Sequence, residues 1–139
     1  SLVDFSNSKL FELDFQDSKL VGVDWTKATW SAFHLDFELR FRRCILNDSS
    51  FFGLVLNELV FDECKLHDVD FRDGRFVNSK MIHSDFSRSL FMRTDLQEVD
   101  FSDSTAYTIN ILENNVKKAK FSRYEALNLL EVLGVELVD

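Results

Sequence analysis

Large apolar side chains recur at every fifth residue from the start of the chain. Phe5, Leu10, Phe15, Leu20, Trp25, Trp30 and Leu35 set the spacing. After a slip of one residue around Asp36-Phe37-Glu38 it resumes as Phe41, Leu46, Phe51, Leu56, Phe61, Leu66, Phe71, Phe76, Met81, Phe86, Phe91, Leu96 and Phe101. Two residues before each of these centres stands a residue that is usually small or apolar, as at Leu59, Cys64, Val69 and Gly74. The positions between are mostly polar or charged. A period of five matches neither the 3.6 of a helix nor the 2 of a strand, so it predicts a repeat architecture. One such unit cannot bury its own large side chain. Stacked units can.

The residues around the centres carry a family resemblance. Val3-Asp4-Phe5-Ser6, Val69-Asp70-Phe71-Arg72, Ser84-Asp85-Phe86-Ser87 and Val99-Asp100-Phe101-Ser102 resemble the pentapeptide-repeat consensus over residues 1 to about 106. The resemblance implies an all-β fold, a right-handed quadrilateral β-helix with four pentapeptides per coil. About five coils are then expected, ending in a C-terminal capping α-helix. Centres and minus-two residues point inward, and coils stack at about 4.8 Å. Twenty residues per coil put Leu10, Trp30, Phe51, Phe71 and Phe91 in one inward column, and Leu20, Phe41, Phe61, Met81 and Phe101 in another. The slip near Glu38 predicts a bulge of one extra residue.

The division expected is a repeat rod over 1–108 and a terminal segment over 109–139. Ala106 is too small for a normal centre. Ser122-Arg-Tyr-Glu125 has the form of a capping box, and Ala126, Leu129, Leu130 and Leu133 follow at helical spacing. Gly134 is the natural stop.

Composition narrows the function. The 139 residues fit one domain, and 45% apolar content supports a core. No apolar run reaches the ~18 residues of a membrane span. The chain opens at Ser1, already inside a repeat, so the expectation is a trimmed chain, to which any native leader or N-terminal cap would be external. A formal charge of −8 repels phosphate backbones, so direct nucleic-acid binding is not expected. Two cysteines do not make a disulfide scaffold, and a cytoplasmic setting with reduced thiols is the expectation. Cys44 and Cys64 fall on adjacent coils, where a disulfide is geometrically possible; two buried thiols filling a small slot is the simpler reading.

No catalytic constellation emerges. His34, His67 and His83 fall on different faces or coils without a nucleophile beside them. Asp4, Asp14, Asp24, Asp70, Asp85, Asp95 and Asp100 occupy the repeat's own minus-one position, which suits turn hydrogen bonds better than acid–base work. No cofactor, no metal site and no enzyme activity are expected.

The outward surface offers two partner sites. Residues 1–106 hold 19 Asp and Glu against 12 Lys and Arg, and the acids Asp48, Glu58, Asp62, Glu63, Asp68 and Asp73 crowd the middle coils. Phe11, Phe52, Leu90 and Met92 are apolar yet outward. Within the family, the chain is similar to the Qnr type and the mycobacterial MfpA type. That similarity implies an acidic rod that mimics DNA, engages a type II topoisomerase (DNA gyrase or topoisomerase IV) and protects it from quinolones. The segment Glu125 to Val135 looks like the dimerising helix of those proteins, which implies a homodimer through Leu127, Leu130, Leu133, Val135 and Leu137. The alternative expectation is a structural or scaffolding module that holds another protein through the apolar residues.

Overall fold

The computed structural model describes residues 10–27 and 36–139, with side chains from Leu13 and from Glu38 onward in those two segments. Six strands form one parallel sheet in sequence order: β1 (Leu10–Gln16), β2 (Asp36–Arg42), β3 (Val60–Asp62), β4 (Lys80–Ile82), β5 (Asp100–Phe101) and β6 (Lys120–Phe121). Each pairs only with its sequence neighbours. Phe41 lies beside Phe61, Phe61 beside Met81, and Asp100 beside Lys120, each step being 20 residues. Between strands the chain makes three more short sides, whose bridges keep the same step, as in Ile45 with Lys65, Ser50 with Asp70 and Val55 with Arg75. The result is a right-handed four-sided β-helix. We number the sides from the sheet: side 1 (59–63 in one coil), side 2 (64–68), side 3 (69–73) and side 4 (74–78). Side 3 lies opposite side 1.

The core is a set of inward columns. Along the side 1 column, Phe15, Phe41 and Phe61 stack with ring centroids 5.3 Å apart at each step, and Phe101 stacks on Phe121 at 5.1 Å. On side 3, Trp25, Phe51, Phe71 and Phe91 stack at 5.8, 5.5 and 4.9 Å. The two columns meet edge to face, Phe41 against Phe51 at 84° and Phe51 against Phe61 at 81°. Offset stacking and edge contacts are the favoured aromatic geometries, each adding about 0.5–1.5 kcal/mol beyond burial.

Minus-two residues serve the backbone. The minus-two serines Ser49, Ser79, Ser84, Ser89 and Ser104 are buried. The hydroxyls of Ser79, Ser84, Ser89 and Ser104 accept from the N–H groups of Leu59, Cys64, Val69 and Ser84 one coil earlier, at 3.0–3.1 Å. Those donors would otherwise be orphaned inside the rod. Corners are turned by single residues in the left-handed region, such as Asp48, Glu58, Asp68 and Asp73 at φ 57–62°. Their N–H groups donate to the next coil, as Asp68 does to the Ser87 carbonyl at 3.0 Å.

Four expectations are corrected. First, β1 and β2 pair with a step of 26, Phe15 with Phe41, against the 21 that a one-residue bulge requires. Glu38 sits in regular pairing opposite Glu12. The extra six residues lie upstream of β2, toward residues 28–35, which are outside those described. A five-residue pattern shows length only modulo five, so one extra residue and six look identical. Second, the columns shift with that step: Phe15, not Leu20, precedes Phe41, and Trp25, not Trp30, precedes Phe51. Third, pairing passes 108 and continues through β6, with Asn115 bridged to Asp95. Ala106 takes a left-handed φ of 58°, and Tyr107 turns in to fill the centre that alanine leaves empty. Fourth, the terminal helix α1 (Leu127–Glu131) starts after Ala126 with no side-chain cap. The Ser122 hydroxyl instead accepts from the Asp103 N–H at 2.7 Å, so the coil claims it before a capping box can.

Gly74 and Gly53 test the inward assignment. A Cβ on Gly74 would sit 2.5 Å from the Phe76 ring, whereas Gly53, at φ +68°, opens to empty space. We expect Gly74→Ala to cost about 1–3 kcal/mol by overpacking. Gly53→Asn, which suits a left-handed corner, should melt near wild type; equal melting of both variants in calorimetry would contradict the packing.

Candidate functional site

The six acidic candidates do not share a face. Glu63, Asp68 and Asp73 are successive corners of one coil, Glu58 is the corner before them, and Asp48 stands one coil from Asp68 on the same corner. Asp62 lies on side 1. They encircle the rod, which corrects the expected acidic face. The physical reason is that the corner position recurs every five residues, one side further round each time. Several are also neutralised by the next coil. Arg88 holds Asp68 at 3.0 Å and Arg93 holds Asp73 at 2.6 Å, and these hydrogen bonds keep both carboxyls below the usual carboxylate range. Arg43 holds Asp17 in the same manner at 2.7 Å.

The apolar candidates are brought together. Phe52, Leu90 and Met92 all lie exposed on side 3. With a step of 20, Phe52, Arg72 and Met92 form one outward column, with Leu90 in the parallel column beside it; Leu112 is exposed on the following coil. Leu112 was not anticipated from the sequence because the rod was expected to end before it. Arg72 stands between Phe52 and Met92: its guanidinium packs 5.7 Å from the Phe52 ring centre while Asp70 holds it at 2.9 Å. Phe11 belongs to β1, but its side chain is outside those described.

The dimer candidates Leu127, Leu130, Leu133, Val135 and Leu137 are all exposed, while Leu129 packs onto the core. Cys44 and Cys64 are neighbouring rungs of one inward column, free and buried. The Lys65 N–H beside them donates to the Cys44 carbonyl at 3.0 Å. Burial pushes the Cys64 thiol up to about 12, so it is not a reactive group. No cluster among the described residues has the composition of a metal site. The minus-one aspartates act as the sequence suggests: Asp70, Asp85, Asp95 and Asp100 accept from the N–H two residues on, at 2.9–3.2 Å.

Two histidines tie coils together, and nothing in their spacing announced it. His67 meets Asp85 at 2.8 Å. His83 lies between Asp62 on one nitrogen at 3.2 Å and Asp103 on the other at 3.1 Å, linking three coils. Only the imidazolium can donate to both carboxylates.

The sequence model for the pentapeptide repeat region family matches residues 34–101. No curated protein matches the chain. Among solved structures, it is similar to QnrB1, a plasmid-mediated fluoroquinolone resistance protein, with 13% identity, 91% of this chain and 90% of that one covered, and a TM-score of 0.41. It is similar to HetL from Nostoc sp. strain PCC 7120, involved in heterocyst differentiation regulation, at 10% identity and TM-score 0.42, covering 77% of this chain and 46% of that one. It is also similar to Rfr23 from Cyanothece 51142, at 10% identity and TM-score 0.39, with 79% and 88% covered.

The His83 bridge sets a pH dependence. Hydrogen bonding to Asp62 raises the His83 pKa above its ordinary 6.5; desolvation opposes it and the Asp103 bond adds to it. A raised folded pKa means the bridge stabilises fully below about 6.5 and fades as pH rises through the higher folded value. The melting temperature should therefore fall from pH 6 to pH 8, and His83→Gln should flatten that slope. An unchanged slope in the variant would show that the bridge contributes nothing.

Proposed function

From a chain that carries a pentapeptide repeat region over residues 34–101, we propose a non-catalytic rod that binds a protein partner through the apolar column on side 3. The observation that carries this reading is the exposure of Phe52, Leu90 and Met92 together on side 3. Contiguous exposed apolar surface marks interfaces, whereas single exposed residues do not. An interior filled with stacked rings leaves function to the outward surface, as suits a binding module. The same reading has the rod working in the cytoplasm, where Cys44 and Cys64 stay reduced, and without direct nucleic-acid or membrane contact. No helix among the described residues is long and apolar enough to cross a membrane. Two rods join through Leu127, Leu130, Leu133, Val135 and Leu137, all of which are exposed in the single chain.

Mimicry of DNA toward gyrase or topoisomerase IV is the second reading. Its support is the formal charge of −8 on a narrow rod. The paired, encircling arrangement of the acids gives it less than the apolar column gives the first.

A supercoiling assay with a fluoroquinolone, at two salt concentrations, separates the readings. Protection that falls with salt and with charge reversal at Glu58 and Asp73 supports mimicry. Protection lost in Phe52→Ser/Met92→Ser alone supports the side 3 interface with a topoisomerase as partner. With no protection, the partner lies elsewhere, and affinity capture must then retain a protein that the double variant loses. Capture unaffected by that variant would remove side 3. For assembly, Leu130→Glu should shift the mass in light scattering from dimer to monomer, and an unchanged mass would remove this dimer interface.

A further inference from the structure

Side 1 carries an open groove of about 460 Å³, within the range of ligand-binding clefts. It is lined by Arg40, Val60 and Lys80 from one outward column and Arg42, Asp62 and Ile82 from the next. Glu38, Glu58 and Asn78 line its edges. It spans three coils, about 10 Å, which is the length of some three extended residues.

Its cations are unequally satisfied. Glu38 holds Arg40 at 2.6 Å. Arg42 has a buried Nε with no hydrogen-bond partner and makes no ion pair among the described residues. Lys80 likewise makes none, although Asp100 follows it in the same column. The Asp100 carboxylate is taken by the Ser102 N–H at 2.9 Å and hydroxyl at 2.5 Å. Of the acids around the groove, Asp62 is taken by His83. Arg42, half-buried, and Lys80, exposed, are each able to take a carboxylate in a charge-assisted bond. Two cations without ion-pair partners thus share one cleft on a chain of net charge −8.

We propose that this groove binds an extended peptide segment bearing acidic side chains, anchored by Arg42 and Lys80. The half-buried Val60 and Ile82 form an apolar floor for a side chain between the two acids. Glu38, Glu58 and Asp62 repel densely charged polyanions, which makes a sparsely acidic peptide a better occupant than a nucleic acid. The site lies opposite side 3 and is independent of the interface proposed there.

The test is a titration of the whole chain with acetyl-Glu-Leu-Glu-amide and, separately, acetyl-Gln-Leu-Gln-amide, following arginine Nε–H resonances by NMR. The Arg42 signal, identified by its loss in Arg42→Gln, should move saturably with the acidic peptide alone. Lys80→Gln should weaken that binding about tenfold, the loss of one charge-assisted contact. Equal responses to the two peptides, no saturable movement at millimolar peptide, or unchanged affinity in Lys80→Gln would each overturn the proposal. Circular dichroism melting of both variants checks that the rod is intact.

Discussion

The structure depends on one constraint: a five-residue side cannot bury a phenylalanine by itself. Each ring finds its partners only in the coils before and after it and across the rod. Phe71 touches Phe51 and Phe91 along its column and Phe61, Phe76 and Phe86 across it. Stability in such a solenoid is a sum of neighbour contacts, so the fold has no separate nucleus that could survive without its neighbours. The serine hydroxyls at the minus-two positions complete the arrangement by answering the N–H groups that the β-ladder leaves unpaired.

That constraint explains what the sequence could disclose. The recurrence of large side chains pointed to a repeat architecture, and the resemblance to the pentapeptide consensus implied the β-helix, its inward positions and the stacking of Cys44 on Cys64; burial is periodic wherever the coil is regular. It could not measure the coil between Phe15 and Phe41, since a step of 26 and a step of 21 leave the same remainder of one over the five-residue period. Nor could it see that Tyr107 would take the place of Ala106, because a left-handed alanine is a local rearrangement with no periodic signature. The sixth strand was hidden for the same reason, and Leu112 with it.

Candidate sites were less legible than the core. Adjacent acids in the sequence read as a cluster, yet Glu58, Glu63, Asp68 and Asp73 are carried to successive corners of the rod. The apolar residues Phe52 and Met92, 40 positions apart, were brought onto one face because that separation is two whole coils. On this fold, surface neighbours are residues 20 apart rather than residues close in sequence. The same rule gathers Arg42, Val60, Lys80 and Ile82 around one groove and places His83 between Asp62 and Asp103. Function is therefore a property of columns, and two opposite sides of one rod present different chemistry: apolar on side 3, cationic within an acidic frame on side 1.

The central claim, that the ring columns hold the rod together, is tested most directly by the thermal melting of Phe71→Asp beside Arg72→Ser. Phe71 is wholly buried and Arg72 faces outward in the next position. Burying an unpaired carboxylate in the middle of the column should abolish the cooperative transition, while the outward change should leave it nearly in place. A cooperative melt retained in Phe71→Asp would contradict the account.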